Sequence, residues 1–387
     1  MKIVIAPDSF KGSLSAVEAA EAIERGVKKA LPESDATMVP IADGGEGTLE
    51  TLVVATGGFT RSVTVMGPLG DDVEAIYGIL GDGETCVIEM ASASGIGLVP
   101  KGELNPFLAT TYGTGELIAE ALDDGYRKFI LAIGGSATND GGAGMLQALG
   151  ARLLNELGGS VGFGGGNLKH VRKIDLEGFD ERVADSTFLI ASDVENPLIG
   201  PSGASFVFGP QKGASAEGVE VLDQHLEHWA DEVERTTGVR LHDKPGAGAA
   251  GGIGGAFQAF FPSRMERGID VVIAYTDLEE KLVGAELAIT GEGQVDSQTA
   301  SGKTPMGVAQ AANDLGIPTV VIAGSVGDGI EALYPYGVIG VHSMVNRPMT
   351  LDAAMKEASR LLESSTEQVV RSFFHSHVQN KQGGLVL

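Results

Sequence analysis

Short apolar runs alternate with segments of helical periodicity at both ends of the chain. Residues 2–6 predict a buried strand, and the pattern that follows predicts a helix ending near residue 29, with Ser13 or Ser15 as its cap. Further strands and helices of this kind are predicted at 37–41, 46–55, 287–290, 305–315, 319–323, 338–342 and 351–373. Alternating strands and helices favour a parallel sheet.

The middle of the chain has a different pattern. Residues 59–90 contain three short β-rich runs separated by Gly, Pro and Asp turns, which predicts an antiparallel ribbon. From residue 110 to about 275, glycine-rich segments interrupt the elements, among them strands at 128–133 and 187–191 and a long helix at 216–236. This region is therefore expected to pack differently from the two ends.

The return of the first pattern near the end of the chain predicts a two-domain α/β protein. Residues 1–65 and 286–387 are expected to form one discontinuous Rossmann-like or flavodoxin-like parallel-sheet domain. Residues 66–285 would be inserted into it as a second, distinct α/β domain, with the active site in the cleft between the two. A length of 387 residues agrees with two cores. Two domains in sequence are the alternative, since composition does not separate the two arrangements.

Glycine content and charge narrow the possible ligands. The 57 glycines are about twice the average usage and occur in clusters, as expected where backbone approaches a ligand, although ordinary turns account for about half of them. The net charge of −25 repels nucleic acids and anionic membranes, so neither is expected as a partner. An anionic substrate would need a few local lysines and backbone N–H groups.

The compartment is predicted from cysteine usage and from the apolar runs. Cys86 is the only cysteine, so no internal disulfide forms, and its apolar surroundings indicate a buried structural thiol. The N-terminal apolar run is too short for a signal peptide, and no run reaches the length of a membrane span. A cytoplasmic protein is expected.

Five glycine-containing segments also carry charged or amide side chains. They are residues 7–13, 42–48, 134–144, 192–198 with 208–214, and 290–297 with 301–304. In the first, Lys11 directly follows a strand and could neutralise a phosphate. In the second, Asp43 and Glu46 are either substrate-binding carboxylates or a helix cap and its capping-box partner.

The third segment has eleven consecutive residues without a large side chain. Such a run favours close approach of the backbone to a carboxylate or phosphate. The candidate substrate-binding side chains of this segment are Ser136, Thr138, Asn139 and Asp140.

Carboxylates and lysines occur together in the last two segments. Asp193 follows a strand and is a candidate general base, although it could equally serve to turn the chain before a proline. Glu292 and Asp296 with Lys303 suit a magnesium–phosphate site, because hard oxygens bind Mg²⁺ and ammonium groups screen phosphate charge. The Ser-Gly-Lys-Thr that ends the fifth segment is not a P-loop, since Ser297 stands where that motif needs glycine.

Two other patterns are weak. Residues 246–251 match G-x-G-x-x-G but follow no clear strand, so a dinucleotide-binding fingerprint is not indicated. The seven histidines show no metal-ligand spacing, and His225 and His228 stand among acidic residues, which is typical of a solvated surface.

The five segments, together with residues 245–252, resemble the motifs of the bacterial type I glycerate kinase family. They occur in family order and cover essentially the whole chain. The resemblance implies two α/β domains, one of them Rossmann-like with the other inserted into it. It also implies the use of ATP and Mg²⁺ to phosphorylate (R)-glycerate, and many similar enzymes make 2-phosphoglycerate.

The roles of individual residues are predicted from their chemistry. The glycerate carboxylate is expected at backbone amides, Ser136 and Asn139, with Asp193 as the base and Glu292 and Asp296 as Mg²⁺ ligands. Asp43 and Glu46 are grouped with the substrate-binding residues. Phosphate contacts are assigned to Lys11, Lys212, Lys303, Gly246, Gly248, Gly251 and Gly252. A kinase for another small sugar acid and a non-catalytic small-anion sensor are the alternative functions.

Overall fold

The structure, a computed structural model, describes residues 1–297, 299–301 and 303–375. Its strands are β1 (Lys2–Ile5), β2 (Asp35–Met38), β3 (Phe59–Met66), β4 (Asp72–Ile79), β5 (Thr85–Glu89), β6 (Lys128–Ala132), β7 (Arg152–Leu154), β8 (Lys173–Asp175), β9 (Thr187–Ala191), β10 (Ser263–Glu266), β11 (Leu287–Thr290), β12 (Gln294–Val295), β13 (Thr319–Ala323), β14 (Ser325–Val326) and β15 (Val338–Ser343).

Helices connect most of these strands. They are α1 (Ala16–Ala30), α2 (Thr48–Thr56), α3 (Ala91–Ser94), α4 (Tyr112–Asp123), α5 (Ala143–Ala148), α6 (Ala204–Phe208), α7 (Ala216–Thr237), α8 (Ile253–Phe260), α9 (Gly268–Tyr275), α10 (Leu278–Leu282), α11 (Thr304–Asp314), α12 (Leu351–Lys356) and α13 (Ala358–Phe373). Within the described residues, no helix is long and apolar enough to cross a membrane.

The chain forms two compact units. The first unit comprises Met1–Asp43 and the described residues from Ile269 onward, and the second comprises Gly44–Gly268. These units differ from the predicted boundaries at residues 65/66 and 285/286. At the first boundary, β3 pairs along its whole length with β4, so the segment before residue 66 belongs to the sheet of the second unit.

The first unit is built on a parallel five-stranded sheet in the order β15-β13-β11-β1-β2. Helices α1 and α13 pack against each other and cover buried apolar residues of this sheet, including Ile3, Ile5 and Ile289. Close contact between the helices requires Gly26, because a Cβ there would lie 2.5 Å from the carbonyl oxygen of Glu363. The parallel sheet predicted from the alternating pattern is confirmed.

The second unit contains a six-stranded mixed sheet in the order β10-β9-β6-β5-β4-β3. Strands β10, β9, β6 and β5 are parallel, while β5, β4 and β3 form the predicted antiparallel ribbon. Its core includes Trp229 of α7, stacked Phe129 and Phe188 rings, and the buried Cys86 thiol. Both units are therefore α/β, as the sequence predicts.

Three local predictions need correction. The last helix divides into α12 and α13 at Glu357. Helix α2 begins after Gly47, which is left-handed and supplies no side-chain cap, so Asp43 and Glu46 do not form the capping box that was considered. His225 is buried and its Nδ1 lies 3.1 Å from the carbonyl oxygen of Gly165, not on a solvated surface. The capping box of α1 is present, with Ser15 as the cap.

Candidate active site

Four carboxylates of the first unit follow strands, three of which are neighbours in its sheet. Asp8 follows β1, Asp43 lies a few residues after β2, and Glu292 follows β11, while Asp296 follows the short β12 four residues further on. The carboxyl ends of parallel strands lie at one edge of a sheet, which is the edge where such folds bind ligands. These four residues are called the acidic cluster below.

The electrostatics of the acidic cluster show that its carboxylates influence one another. Burial and then the charge of Asp43 raise the pKa of Asp8 to about 7. Burial also raises the pKa of Glu292, with further upward contributions from Asp43 and Asp296 and a downward one from Lys303. Mutual repulsion in a buried setting is relieved when a cation binds, so the cluster favours a positively charged ligand.

Local hydrogen bonds hold the acidic cluster in place. Thr304, the first residue of α11, donates its hydroxyl to Asp8 Oδ2 at 2.5 Å. Thr299 Oγ1 donates to Glu292 Oε1 at 2.8 Å, and Gln294 Nε2 donates to Asp296 Oδ2 at 3.1 Å. The two predicted metal ligands are thus fixed by short-range contacts within one stretch of chain.

The two lysines predicted beside this cluster differ in their surroundings. Lys303 Nζ lies 3.9 Å from Glu292 Oε2 and remains partly exposed. Lys11 is exposed, and its backbone passes close to Gly293. Both belong to the first unit, which also holds the acidic cluster. Gly302 of the fifth segment lies outside the described residues.

In the second unit, the glycine loop (residues 134–144) follows β6 and is stabilised from within. Asp140 Oδ2 accepts hydrogen bonds from both the backbone N–H and the hydroxyl of Thr111, each at 2.9 Å, and its carboxylate also accepts the N–H groups of Gly142 and Gly144. Burial raises the pKa of Asp140 despite these bonds. The structure therefore gives Asp140 an internal role in shaping the loop.

Side chains from α6 and the turn after it contact the glycine loop. Ser205 Oγ accepts a hydrogen bond from Asn139 Nδ2 at 2.9 Å. Lys212 is buried, and its ammonium donates to Ser136 Oγ and to the carbonyl oxygen of Thr138, both at 2.7 Å. Burial lowers the pKa of Lys212 to about 7, against an upward contribution from the charge of Asp140.

The glycines predicted to wrap nucleotide phosphate make close contacts inside the second unit. A Cβ at Gly251 would lie 2.0 Å from the carbonyl oxygen of Thr138, and one at Gly248 would lie 2.2 Å from that of Pro197. Gly252 approaches the Cα of Gly141, and Gly246 approaches the side chain of Met265. Packing of one loop on another thus accounts for these glycines without a nucleotide.

Two more predicted residues belong to the second unit. Asp193 is exposed just after β9, and its Oδ1 accepts the N–H of Gly268 at 3.1 Å. Glu46 is also exposed, and its charge raises the pKa of Glu89. The sequence pair Asp43 and Glu46 is therefore divided, with Asp43 in the acidic cluster and Glu46 in the other unit.

Sequence reasoning overlooked two carboxylates. Asp8 was part of the first segment, but only Lys11 was assigned a role there. Glu89 ends β5 and accepts the N–H of Leu49 at 2.7 Å, and burial raises its pKa to about 7. Both stand at strand ends, so the rule that selected Asp193 would have selected them too.

The donor chemistry of the acidic cluster fits magnesium, which proteins commonly hold through one or two carboxylates with phosphates and water completing the shell. Glu292 and Asp296 offer such oxygens, and Asp8 and Asp43 add negative charge beside them. Among the described residues, no group of three or more His, Cys, Asp and Glu side chains is arranged to hold a metal ion.

Comparisons with known proteins agree on a class of enzyme. A family model described as the glycerate kinase family matches residues 3–374. The chain is 50% identical to a Bacillus subtilis protein named glycerate kinase, over 96% of this chain and 97% of the relative. It is 49% identical to an Escherichia coli protein named glycerate 2-kinase, over 92% and 94% of the two chains.

A solved structure agrees with these relatives. A crystal structure from Salmonella typhimurium LT2 that carries the name glycerate kinase 2 aligns with a TM-score of 0.87 and 47% identity, covering 97% of this chain and 99% of that one. The protein is thus an α/β enzyme of the phosphotransferase class. The chain belongs to the glycerate kinase family.

Proposed function

We propose that this protein transfers the terminal phosphate of ATP to (R)-glycerate, also called D-glycerate, and that the product is 2-phosphoglycerate. The observation that carries the proposal is the match over nearly the whole chain to relatives named glycerate kinases at about half identity. The name of the Escherichia coli relative supports the 2-position. Because ATP is the proposed donor, the cytoplasm is the compartment that we propose.

The acidic cluster is the proposed metal and phosphate site. Glu292 and Asp296 would hold Mg²⁺, which when bound neutralises phosphate charge during transfer. Lys303, already paired with Glu292 at 3.9 Å, and the exposed Lys11 would approach phosphate oxygens of the nucleotide. In a protein of net charge −25, such local cations are needed to hold a polyanion.

The second unit is the proposed site for glycerate. The glycine loop would bind the acid through backbone N–H groups, Ser136 and Asn139, and Asp193 would accept the proton of the attacking hydroxyl. Asp193 is exposed, and its Oδ1 accepts the N–H of Gly268 at 3.1 Å. Phosphoryl transfer depends mainly on positioning and charge, so the base is expected to contribute less than the cations.

An assay of ADP release tests the proposed function. Release should require both D-glycerate and a divalent cation, and the product should be consumed directly by enolase, which acts on 2-phosphoglycerate. A signal that appears only after addition of a phosphoglycerate mutase would show that the 3-position is phosphorylated instead.

The same assay separates the two alternatives. A kinase for another sugar acid would release ADP faster with tartronate or other short hydroxy acids than with D-glycerate. A non-catalytic anion sensor would bind glycerate without ADP release under any metal condition. The acidic cluster favours the kinase, because a sensor of small anions has no need of four mutually repelling carboxylates.

A further inference from the structure

Lys212 is a buried ammonium group whose hydrogen-bond partners are uncharged. Only 2% of the residue is exposed, and its hydrogen bonds go to Ser136 Oγ and the carbonyl oxygen of Thr138. Within the part of the chain that the structure describes, Lys212 forms no ion pair. A buried charge without a paired opposite charge is costly, and proteins retain such a group mainly where a ligand uses it.

Asp140 is the charged group whose field acts on Lys212, but it does not pair with it. The carboxylate of Asp140 is occupied by Thr111, Gly142 and Gly144, all within or beside the glycine loop. Its charge therefore helps to keep the ammonium protonated from a distance.

Ser136 connects Lys212 to the glycine loop, next to an exposed residue. Its Oγ accepts a hydrogen bond from the ammonium, so the hydroxyl hydrogen is free to donate to another acceptor. Gly135, the preceding residue, is exposed, while Ser136 itself is buried with 7% of its surface exposed. An anion bound by the Ser136 hydroxyl would thus be stabilised by the positive charge directly behind that hydroxyl.

Two polar atoms of neighbouring residues are buried without a hydrogen-bond partner among the described residues. They are Thr138 Oγ1 and Asn139 Oδ1. An unsatisfied buried oxygen is destabilising, and such groups commonly mark a site completed by water or ligand. Asn139 Oδ1 can only accept, so it suits a ligand hydroxyl, whereas Ser136 suits a carboxylate.

We infer that Ser136, supported by Lys212, binds the carboxylate of the acceptor acid, and that Lys212 serves this substrate and not the nucleotide phosphate assigned to it from the sequence. This inference rests on the proposed function, since glycerate is the acid concerned. Lys212 acts through Ser136 and is a positioning residue. The neighbouring Asn139 Oδ1 would accept a hydroxyl hydrogen of the same hydroxy acid.

The inference is tested by binding titrations of the full chain in the presence of ADP and Mg²⁺, where no turnover occurs. Lys212→Met and Ser136→Ala should each raise the Kd for D-glycerate by about 10-fold to 100-fold, the worth of a hydrogen bond to a charged group. The Kd for ADP should stay within about 2-fold of that of the unmodified protein. Lys169→Met is the matched control, because it removes an exposed lysine from the same unit.

Proton uptake supplies a second readout that a purely structural lysine would not change. Because burial lowers the pKa of free Lys212 to about 7, a bound carboxylate should raise it, and binding near pH 7.5 should take up a proton. Titrations in two buffers of different ionisation enthalpy measure this uptake, which Lys212→Met should abolish and Lys169→Met should retain.

Three results would overturn the inference. They are a weakened Kd for ADP with normal glycerate binding, unchanged glycerate binding in Ser136→Ala, and equal proton uptake with and without Lys212. If Lys212→Met does not fold, Ser136→Ala still decides, because it leaves the bond from Lys212 to Thr138 in place. Failure of the proposed function would look different, since the unmodified protein itself would then not release ADP with D-glycerate.

Discussion

At the scale of single residues, the structure gives Asp296 and Asp193 different surroundings. Asp296 belongs to the acidic cluster, where its charge raises the pKa of Glu292 and Gln294 donates to it. Asp193 is exposed after β9 and accepts the N–H of Gly268. The sequence predicts Asp296 as a Mg²⁺ ligand and Asp193 as the general base, and their different surroundings allow the two predictions to be tested separately.

This difference predicts two patterns of lost activity. Asp296→Asn removes charge from the acidic cluster, so affinity for Mg-nucleotide should fall and excess Mg²⁺ or Mn²⁺ should restore part of the rate. Asp193→Asn should keep nucleotide and glycerate binding while kcat drops by about 10²–10⁴, the usual contribution of a positioned base. The two patterns are checked by measuring, for both variants in parallel, the Kd for the nucleotide and the recovery of rate on adding metal.

The pattern of rescue assigns the roles. Rescue of Asp193→Asn by added metal, with none for Asp296→Asn, would show that the two assignments are reversed. Normal activity in both variants would move the metal site to Asp8 and Asp43, which are the remaining members of the acidic cluster.

At the scale of elements, helix α2 depends on a residue from a neighbouring strand. Its N-cap, Gly47, is left-handed and offers no side-chain oxygen. Glu89, the last residue of β5, instead accepts the N–H of Leu49 at 2.7 Å. Burial raises the pKa of Glu89 to about 7, because it outweighs the lowering effect of the backbone hydrogen bonds from Leu49 and Gly47. A carboxylate at a helix N-terminus also interacts favourably with the helix dipole.

The raised pKa of Glu89 predicts a pH-dependent difference in stability between the protein and its Glu89→Gln variant. At pH 4 the carboxyl is protonated in both the folded and unfolded states, so the two proteins differ least there. As pH rises, Glu89 ionises first in the unfolded chain, so the unmodified protein becomes less stable relative to the Glu89→Gln variant. This loss is complete once the pH has passed about 7, where Glu89 is ionised in the folded state as well. Across this pH range, the difference in the free energy of unfolding between the two proteins changes by at most about 3 kcal/mol.

Urea unfolding at several pH values checks this prediction. Glu103→Gln, which alters an exposed loop residue, should follow the unmodified protein at every pH. Glu89→Ala should be less stable than Glu89→Gln by about 1 kcal/mol at every pH, because the amide oxygen can still accept the N–H of Leu49 and alanine leaves the first turn of α2 without a cap. A constant difference between Glu89→Gln and the unmodified protein across the range would contradict the assigned pKa.

At the scale of the whole molecule, the charge of −25 is carried by two units with separate apolar cores. This net value already counts the basic residues of surface ion pairs such as Arg182 with Asp123 and Lys128 with Glu84. Like charges repel over a distance that shrinks to about 10 Å at 0.1 M salt. Self-repulsion should therefore destabilise the folded chain most at low ionic strength.

Salt is accordingly expected to stabilise the protein. Calorimetric Tm should rise by about a few degrees when NaCl increases from roughly 10 mM to 300 mM, with tetramethylammonium chloride giving a similar rise. Stabilisation by NaCl alone would point to a bound sodium ion in place of general screening, and a falling Tm would show that attractive pairs dominate the surface.

The sequence by itself determined the local elements and the order in which they occur. Strands β9, β11 and β13 lie where apolar runs predicted them, because a parallel strand buried on both faces is apolar at nearly every position. Helix α7 ends within one residue of its predicted limit, because burial of one helix face repeats every 3.6 residues. The α/β class follows from the order of the elements, and the resemblance to the family follows from the order of the motifs.

Only the tertiary structure decided which distant residues meet. It assigns β3 to the second unit through pairing with β4, joins Asp43 electrostatically to Asp8 and Glu292, and turns Lys212 onto Ser136, which lies 76 positions away in the sequence. Periodicity reports which face of an element is buried but not its partner. These contacts, and the burial and pKa shifts that result from them, arise from packing between elements. The pattern of apolar and polar residues along the chain does not predict them.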